Sequence, residues 1–229
     1  MSFSPLELKE LKRLSSCAVA NSIESLGVRL RNEGFTDGSI RRFTTNDQPA
    51  VGYAATIKIR SSSPPVDAPS YLERTQWWDY LLSIPEPRFL VIQDVDPAPG
   101  TGALVGEVHA EILRALRCEA VATNGAVRDI AEVSRLGFSL FGGCLSVSHA
   151  YSHIVEAGCP VEVGGLRISP NDLLHGDFHG IVSIPKDRII DLLKSAVRLQ
   201  QRERELIKLC REPDFSIERL REAVRRTRS

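Results

Sequence analysis

The sequence predicts a layered α/β fold with a largely parallel sheet, on three observations. Between Phe89 and Phe141, short apolar runs alternate with amphipathic ones in a βαβαβ rhythm, which calls for parallel strands joined by crossover helices. The chain has 229 residues, 42% of them apolar and 25% charged, the size and composition of one compact soluble unit. From Pro160 to Pro185 the texture changes to short strands between glycine and proline turns, a small meander added to the α/β layer.

Each element has its own signal. Behind Ser4-Pro5, the residues Leu6, Leu8, Leu11, Leu14, Cys17 and Ala18 recur at helical spacing, and the pattern extends to Ile23 and Leu26 before Gly27, an amphipathic N-terminal helical region. Val51 to Ile59 alternates as a strand, and Ser61-Ser-Ser-Pro-Pro-Val-Asp-Ala-Pro69 is a loop that no helix crosses. Tyr71 to Ser83, with Trp77 and Trp78, reads as a helix whose aromatics are packing residues. Phe89-Leu-Val-Ile92 is a buried strand that delivers Gln93 and Asp94 to its C-terminal end. A helix from Gly106 to Arg117, a strand from Glu119 to Thr123, a turn at Asn124-Gly125, a short helix from Val127 to Leu136 and a strand from Phe138 to Phe141 follow. The meander comprises Val161-Glu-Val163, Leu166-Arg-Ile168, Asp172 to His175 and Gly180 to Ile184. A long helix runs from Pro185 to about Cys210, with a second after Pro213. One domain over 1–211 and a helical extension over 212–229 are therefore expected.

Composition narrows the function classes. Lys+Arg and Asp+Glu both number 29, so the summed field does not steer the chain toward nucleic acid or an anionic membrane. The tail from Arg198 to Ser229 holds ten basic and six acidic residues, and such interleaved signs mark a solvated face or a subunit contact. No apolar run approaches a membrane span, and the first residues lack a leader's basic and apolar regions; a cytoplasmic protein is expected. Five scattered cysteines, with no CxxC pair, argue against structural zinc and a disulfide framework. Cys118 and Cys144 read as small buried hydrophobes.

Two segments carry candidate chemistry. Gly100, Gly102 and Gly106 precede a helix, where unpaired N–H groups and a positive dipole end suit a small anion such as a carboxylate, although a simple tight turn has the same signature. The spacing is neither G-x-G-x-x-G nor a P-loop. Arg128-Asp129 follows a buried strand, where α/β sheets place ligands. The pair could be a structural ion pair or cap the next helix, or Asp129 could hold a hard cation while Arg128 meets a substrate oxygen. Glu107 opens the preceding helix, and parallel strand ends bring such positions together.

Gly106-Glu107, twenty intervening residues, then Arg128-Asp129, with Asn124-Gly125 just ahead, resembles the signature of the 4-hydroxy-4-methyl-2-oxoglutarate aldolase and regulator-of-ribonuclease-E-activity (RraA-like) family. Gly52-Tyr-Ala-Ala-Thr56, the strand into Asp94, Leu136-Gly-Phe-Ser-Leu-Phe141, Gly164-Gly165 and the run from Pro170 to Pro185 match the same frame, so the resemblance covers roughly Leu14 to Glu205. It implies a swivelling β/β/α domain assembled as a homotrimer or homohexamer with sites between subunits. It also implies a divalent cation, Mg²⁺ or Mn²⁺, carried by Asp129 directly and by Glu107 through water. Gly106, Glu107, Val108, His109 and Arg128 would bind a short 2-oxo acid, with Arg128, Glu107 and Asp129 as the catalytic set. A carboxylate from a neighbour's C-terminal helix, Glu203 or Glu205 here, would complete the metal's outer shell.

The activity so implied is a carbon–carbon lyase, a class II type aldolase or an oxaloacetate decarboxylase, acting through a metal-stabilised pyruvate enolate. Some relatives are instead non-catalytic regulators that bind ribonuclease E or an RNA helicase; balanced charge and the intact Glu107, Arg128, Asp129 set favour the enzyme. Two departures bear on substrate preference. Asn124 stands where the family commonly has Asp, and Ser146-Val-Ser-His149-Ala-Tyr-Ser-His153 stands where the aldolases carry a lysine. His149 and His153, at i and i+4, would share a face if that run were helical, and they and His109 are candidates for an altered pocket or a second metal site. His175 and His179 flank a turn and read as structural.

Overall fold

The computed structural model describes residues 3–65 and 75–228. The chain opens with helices α1 (Pro5–Leu11) and α2 (Ser16–Leu26), then strands β1 (Arg41–Arg42) and β2 (Ala50–Arg60), helix α3 (Gln76–Ser83) and strand β3 (Arg88–Asp94). Next come α4 (Glu107–Ala115), β4 (Cys118–Thr123), β5 (Ala126–Val127), α5 (Ile130–Arg135), β6 (Ser139–Gly142) and β7 (Cys144–Leu145). Strands β8 (His153–Ala157), β9 (Val161–Val163), β10 (Leu166–Ile168), β11 (Leu173–Asp177) and β12 (Gly180–Ile184) lead to α6 (Ile189–Cys210) and α7 (Ile217–Arg228).

The main sheet has the order β1-β6-β4-β3-β2-β11-β12, with β8 also paired to β2. Its centre, β6-β4-β3-β2, is parallel as the βαβαβ rhythm predicts, while β1, β8, β11 and β12 join antiparallel. The sheet is therefore mixed. The length of β2 permits this, because Ala50 to Tyr53 pair with β11 and Ile57 to Arg60 with β8.

Alternate strand residues feed two separate cores, as the period of two requires. Val51, Tyr53, Ala55, Ile57, Leu90, Ile92, Val121 and Leu140 pack against Leu11, Val19, Ile23, Leu113, Val133 and Leu192 of the helices. Ala50, Ala54, Phe89, Val91, Ala120, Ala122 and Phe141 pack against Val161, Val163, Leu166 and Ile168. Those four belong to the β9–β10 hairpin, which forms its own two-stranded sheet. The meander expected over 160–185 thus divides: β11 and β12 extend the main sheet, and β9–β10 covers its second face. Helices, large sheet and small hairpin make the β/β/α layering.

Other expectations need correction. The N-terminal helical region breaks between Leu11 and Ser16, because Ser15 caps a new helix by accepting the Ala18 N–H at 3.1 Å. His175 fastens the break to β11. Its Nε2 lies 3.1 Å from both the Leu11 and Leu14 carbonyl oxygens and its Nδ1 3.0 Å from Ser16 Oγ, so it is structural as expected. The helix expected over 127–136 starts only at Ile130, because Ala126-Val127 pairs in parallel with Cys144-Leu145. The Tyr71 end of the helix read over 71–83, and the Val66–Pro69 end of the loop before it, lie outside the described residues. The 211/212 division falls in the turn between α6 and α7. No described helix is long and apolar enough to cross a membrane.

Candidate active site

The start of α4, the Arg128-Asp129 turn between β5 and α5, and the turn that carries His149 enclose a pocket of about 200 Å³ lined by Gly106, Glu107, Val108, His109, Arg128, Asp129 and His149. Every residue expected to bind substrate or metal within one chain lines it. Glu203 and Glu205 do not; both are exposed on α6 beyond its buried first turns.

Asp129 is the hinge of the arrangement. Its backbone is left-handed, φ 56° and ψ 41°, a conformation that aspartate tolerates better than most residues. Its side chain makes no cap to α5, the helix it precedes. Instead Oδ2 accepts the N–H of Glu107, the first residue of α4, at 3.0 Å. Arg128 Nε donates to Oδ1 and Oδ2 at 3.3 and 3.2 Å. Burial pushes the Asp129 pKa up, but the Glu107 N–H and the Arg128 guanidinium outweigh it and hold the group below its ordinary value, so the carboxylate is anionic at neutral pH. Of the structural readings left open by the sequence, the ion pair is present and the cap on the following helix is not: the carboxylate caps the preceding helix instead. Among the described residues no acceptor engages the two terminal nitrogens of Arg128.

Gly106 is the residue that permits this approach. A Cβ there would fall 2.2 Å from Asp129 Oδ2, although its φ of −134° is open to any residue. The anion at the α4 N-terminus is thus the chain's own Asp129. Gly102 has a similar role, since a Cβ there would lie 2.2 Å from the His149 carbonyl oxygen. Gly100, with φ +99°, packs on Cys144.

The histidines separate into two groups. His109 is buried, and burial followed by the nearby His149 brings its pKa down to about 4, which keeps the ring neutral. His149 lines the pocket from a turn, and His153 begins β8, so the two share no helical face. His153 Nδ1 sits 2.7 Å from the Tyr151 carbonyl oxygen, outside the pocket. His179 contacts Asp177. Cys118 is buried and its thiol is pushed up to about 12, an inert packing residue.

Asn124 is also placed away from the pocket lining. Its Oδ1 accepts the Asp94 N–H at 2.7 Å and its Nδ2 donates to the Asp94 carbonyl at 3.0 Å, so both edges of the amide clamp the end of β3. His149, a candidate for an altered pocket alongside His109 and His153, does line it, but not through a helical face: its position depends on the close approach of residues 100–106 to 146–152, which the sequence did not reveal. The serines at 146, 148 and 152 were the local signal for a turn rather than a helix.

The chain's donors fit a hard, largely hydrated cation. Asp129 offers an anionic oxygen site and Glu107 an exposed carboxylate on the same pocket. Mg²⁺ and Mn²⁺ are ions that take such oxygen donors and retain several waters; among the described residues no group of three or more His, Cys, Asp or Glu is disposed to hold a metal.

Comparison with known proteins gives the same frame. The RraA-like family model, described as Aldolase/RraA, matches residues 17–183. A Halalkalibacterium halodurans protein, provisionally named a 4-hydroxy-4-methyl-2-oxoglutarate aldolase, is 26% identical over 171 residues, 73% of this chain and 75% of its own. An uncharacterized Pseudomonas syringae protein superposes with a TM-score of 0.74 at 20% identity, over 97% of this chain and 95% of its own. Streptomyces coelicolor RraAS2, described as an unusual member of the RNase ES inhibitor RraA family, superposes with a TM-score of 0.69 at 20% identity, over 89% of this chain and 96% of its own.

Proposed function

The chain belongs to the RraA-like (Aldolase/RraA) family, and from that premise we propose that it is a divalent-metal-dependent carbon–carbon lyase acting on a short 2-oxo acid. The observation that carries this reading is the convergence of Glu107, Arg128 and Asp129 on one pocket. The alternative, a regulator that binds ribonuclease E or an RNA helicase, gives these three residues no task.

Asp129, and Glu107 through water, would hold the cation. When bound, Mg²⁺ or Mn²⁺ supplies a Lewis acid for the 2-oxo oxygen. Arg128 is oriented by its Nε contacts to Asp129, which turns its remaining donors to other acceptors. Cleaving a 4-hydroxy-2-oxo acid between C3 and C4, or removing CO₂ from oxaloacetate, leaves an electron pair in the enolate of pyruvate. Arg128 meets the charge that develops on that oxygen with a donor already in place. One stabilising site serves both reactions. Asp129 has its carboxylate fixed by the Glu107 N–H, so little reorganisation is needed. No lysine lines the pocket, and the chemistry does not require a Schiff base.

Val108, Leu145 and Val147 expose apolar side chains beside the site, with Val147 98% exposed. A homotrimer or homohexamer with sites between subunits would cover them, and would allow Glu203 or Glu205 to reach a neighbouring pocket.

The test is pyruvate release from oxaloacetate and from 4-hydroxy-4-methyl-2-oxoglutarate with Mg²⁺, Mn²⁺ or EDTA. Metal-dependent release from either substrate supports the lyase. No release from both, with metal present, overturns it.

A further inference from the structure

We propose that a groove at the far end of α4 from the candidate active site docks an acidic peptide segment of a partner protein, one with an apolar centre. Glu107 opens α4 in the pocket, and Arg114, in its last turn, lines the groove. The groove measures about 770 Å³ and lies where α1, the end of α4 and the starts of β3 and β4 meet. The proposal does not depend on the lyase reading.

The floor is apolar and fixed. Phe3 stacks on Tyr53 with ring centroids 6.0 Å apart, and its N–H donates to the Tyr53 hydroxyl at 2.7 Å. Pro87 and Leu136, both half-buried, line the same groove.

The charged part of the lining is mainly cationic. Lys9, Lys12, Arg114 and Arg117 stand there against two carboxylates, Glu86 and Glu119. Lys12 is taken up by Glu119 at 2.8 Å, and Glu86 lies 3.4 Å from the buried Arg88. Arg114 meets Glu111 at 2.9 Å, but both side chains are about half exposed, and such a surface pair is weak. Among the described residues no acceptor engages the Lys9 ammonium or the Arg117 guanidinium.

Arg117 supplies the second observation. It follows the last turn of α4 with a left-handed backbone, φ 57°, where glycine is the usual residue because a Cβ is disfavoured. That backbone is pinned: its N–H donates to the Arg114 carbonyl and its carbonyl accepts the Arg88 N–H, both at 3.0 Å. A cation near a helix C-terminus suits the dipole, yet Arg114 already fills that role in the last turn. The dipole gives no reason to place an arginine at the strained position. An acidic ligand in the groove does.

Charge and lining choose the occupant. With 29 residues of each sign, a second copy of this chain brings no net charge to the groove. Single-stranded nucleic acid binds on aromatic faces, but here Phe3 is already stacked on Tyr53 and Phe138 is buried. A peptide whose carboxylates meet Lys9, Arg114 and Arg117, and whose apolar side chains cover Phe3 and Leu136, satisfies both parts of the lining.

The test is fluorescence anisotropy with the full chain and a labelled peptide that has a leucine–phenylalanine centre between runs of glutamate. It should bind saturably, and less tightly as salt rises. Replacing the glutamates by glutamine, or the leucine and phenylalanine by serine, should each weaken binding at least about tenfold. In Arg117→Gly the glycine suits the left-handed backbone, so the fold is kept while affinity falls at least about threefold. Lys9→Glu, at an exposed position of α1, should lower affinity by a similar factor. Absent saturable binding, wild-type affinity in either variant, equal binding of the peptide without leucine and phenylalanine, or tighter binding of a single-stranded oligonucleotide would overturn the proposal.

Discussion

Asp129 caps the helix that comes before it in the chain: its Oδ2 accepts the Glu107 N–H at 3.0 Å, twenty-two positions upstream. The contact ties the turn between β5 and α5 to the start of α4, on the pocket that Glu107 also lines. A carboxylate at a helix N-terminus is stabilised by the N–H groups and the dipole there.

Removing this cap has a measurable cost. Asp129→Ala should lower unfolding stability by about 0.5–2 kcal/mol, the range for a lost N-cap acceptor, and abolish Mn²⁺ binding. Asp129→Asn should keep most of the stability and still lose the ion. Urea unfolding and Mn²⁺ titration followed by electron paramagnetic resonance check both. A stable Asp129→Ala that binds Mn²⁺ normally would contradict the geometry.

Gly106→Ala tests the close approach. The backbone accepts alanine, but the new Cβ would lie 2.2 Å from Asp129 Oδ2, so the carboxylate must move. Mn²⁺ affinity and turnover should each fall by at least about tenfold, with a stability loss of about 0.5–2 kcal/mol, the range for the displaced cap. Unaltered Mn²⁺ affinity would show that the carboxylate has room to spare.

Asn124→Asp should cost stability, not chemistry. The aspartate keeps the acceptor for the Asp94 N–H but presents an acceptor to the Asp94 carbonyl, where Asn124 donates at 3.0 Å. Leaving that pair unsatisfied costs about 1–3 kcal/mol. Denaturant midpoints at neutral pH read the loss. A variant equally stable but altered in substrate choice would return Asn124 to the substrate pocket.

The candidate site was drawn from the sequence by the family resemblance, which singles out Gly106, Glu107, Arg128 and Asp129; residue type and spacing alone left a tight turn, an ion pair or a helix cap equally open, and the structure brings the four residues to one pocket. Partners distant in the chain were not legible. Ala126-Val127 looks like the first turn of a helix until Cys144-Leu145 lies beside it, and Val161 to Ile168 looks like more of the sheet until its apolar side chains cover the sheet's second face. The break after Leu11 was hidden because apolar spacing continues through it, while Ser15 decides it.

Acid should destabilise the fold in two stages. Burial lowers the His175 pKa, and brings that of His109 to about 4. The unfolded chain therefore takes up protons below about pH 6.5 that the folded chain refuses, so stability is full above 6.5 and falls as pH drops, the His109 share continuing to about pH 4 at up to about 1.4 kcal/mol per pH unit. The lowered pKa values of Asp96, Asp129 and Asp177 add stability that is lost only as pH falls below about 4. His109→Leu should flatten the first stage by one histidine's share in urea titrations at pH 7.5, 6 and 5. An identical slope would mean that His109 is protonated in the fold.

The most direct test of the site is Arg128→Ala, assayed on whichever substrate the wild-type protein turns over faster. Loss of one fixed donor to a developing oxyanion predicts a fall in kcat of about 10²–10³, with Mn²⁺ affinity within about threefold because Asp129 keeps its Glu107 contact. Wild-type kcat in Arg128→Ala, with metal bound normally, would contradict the account.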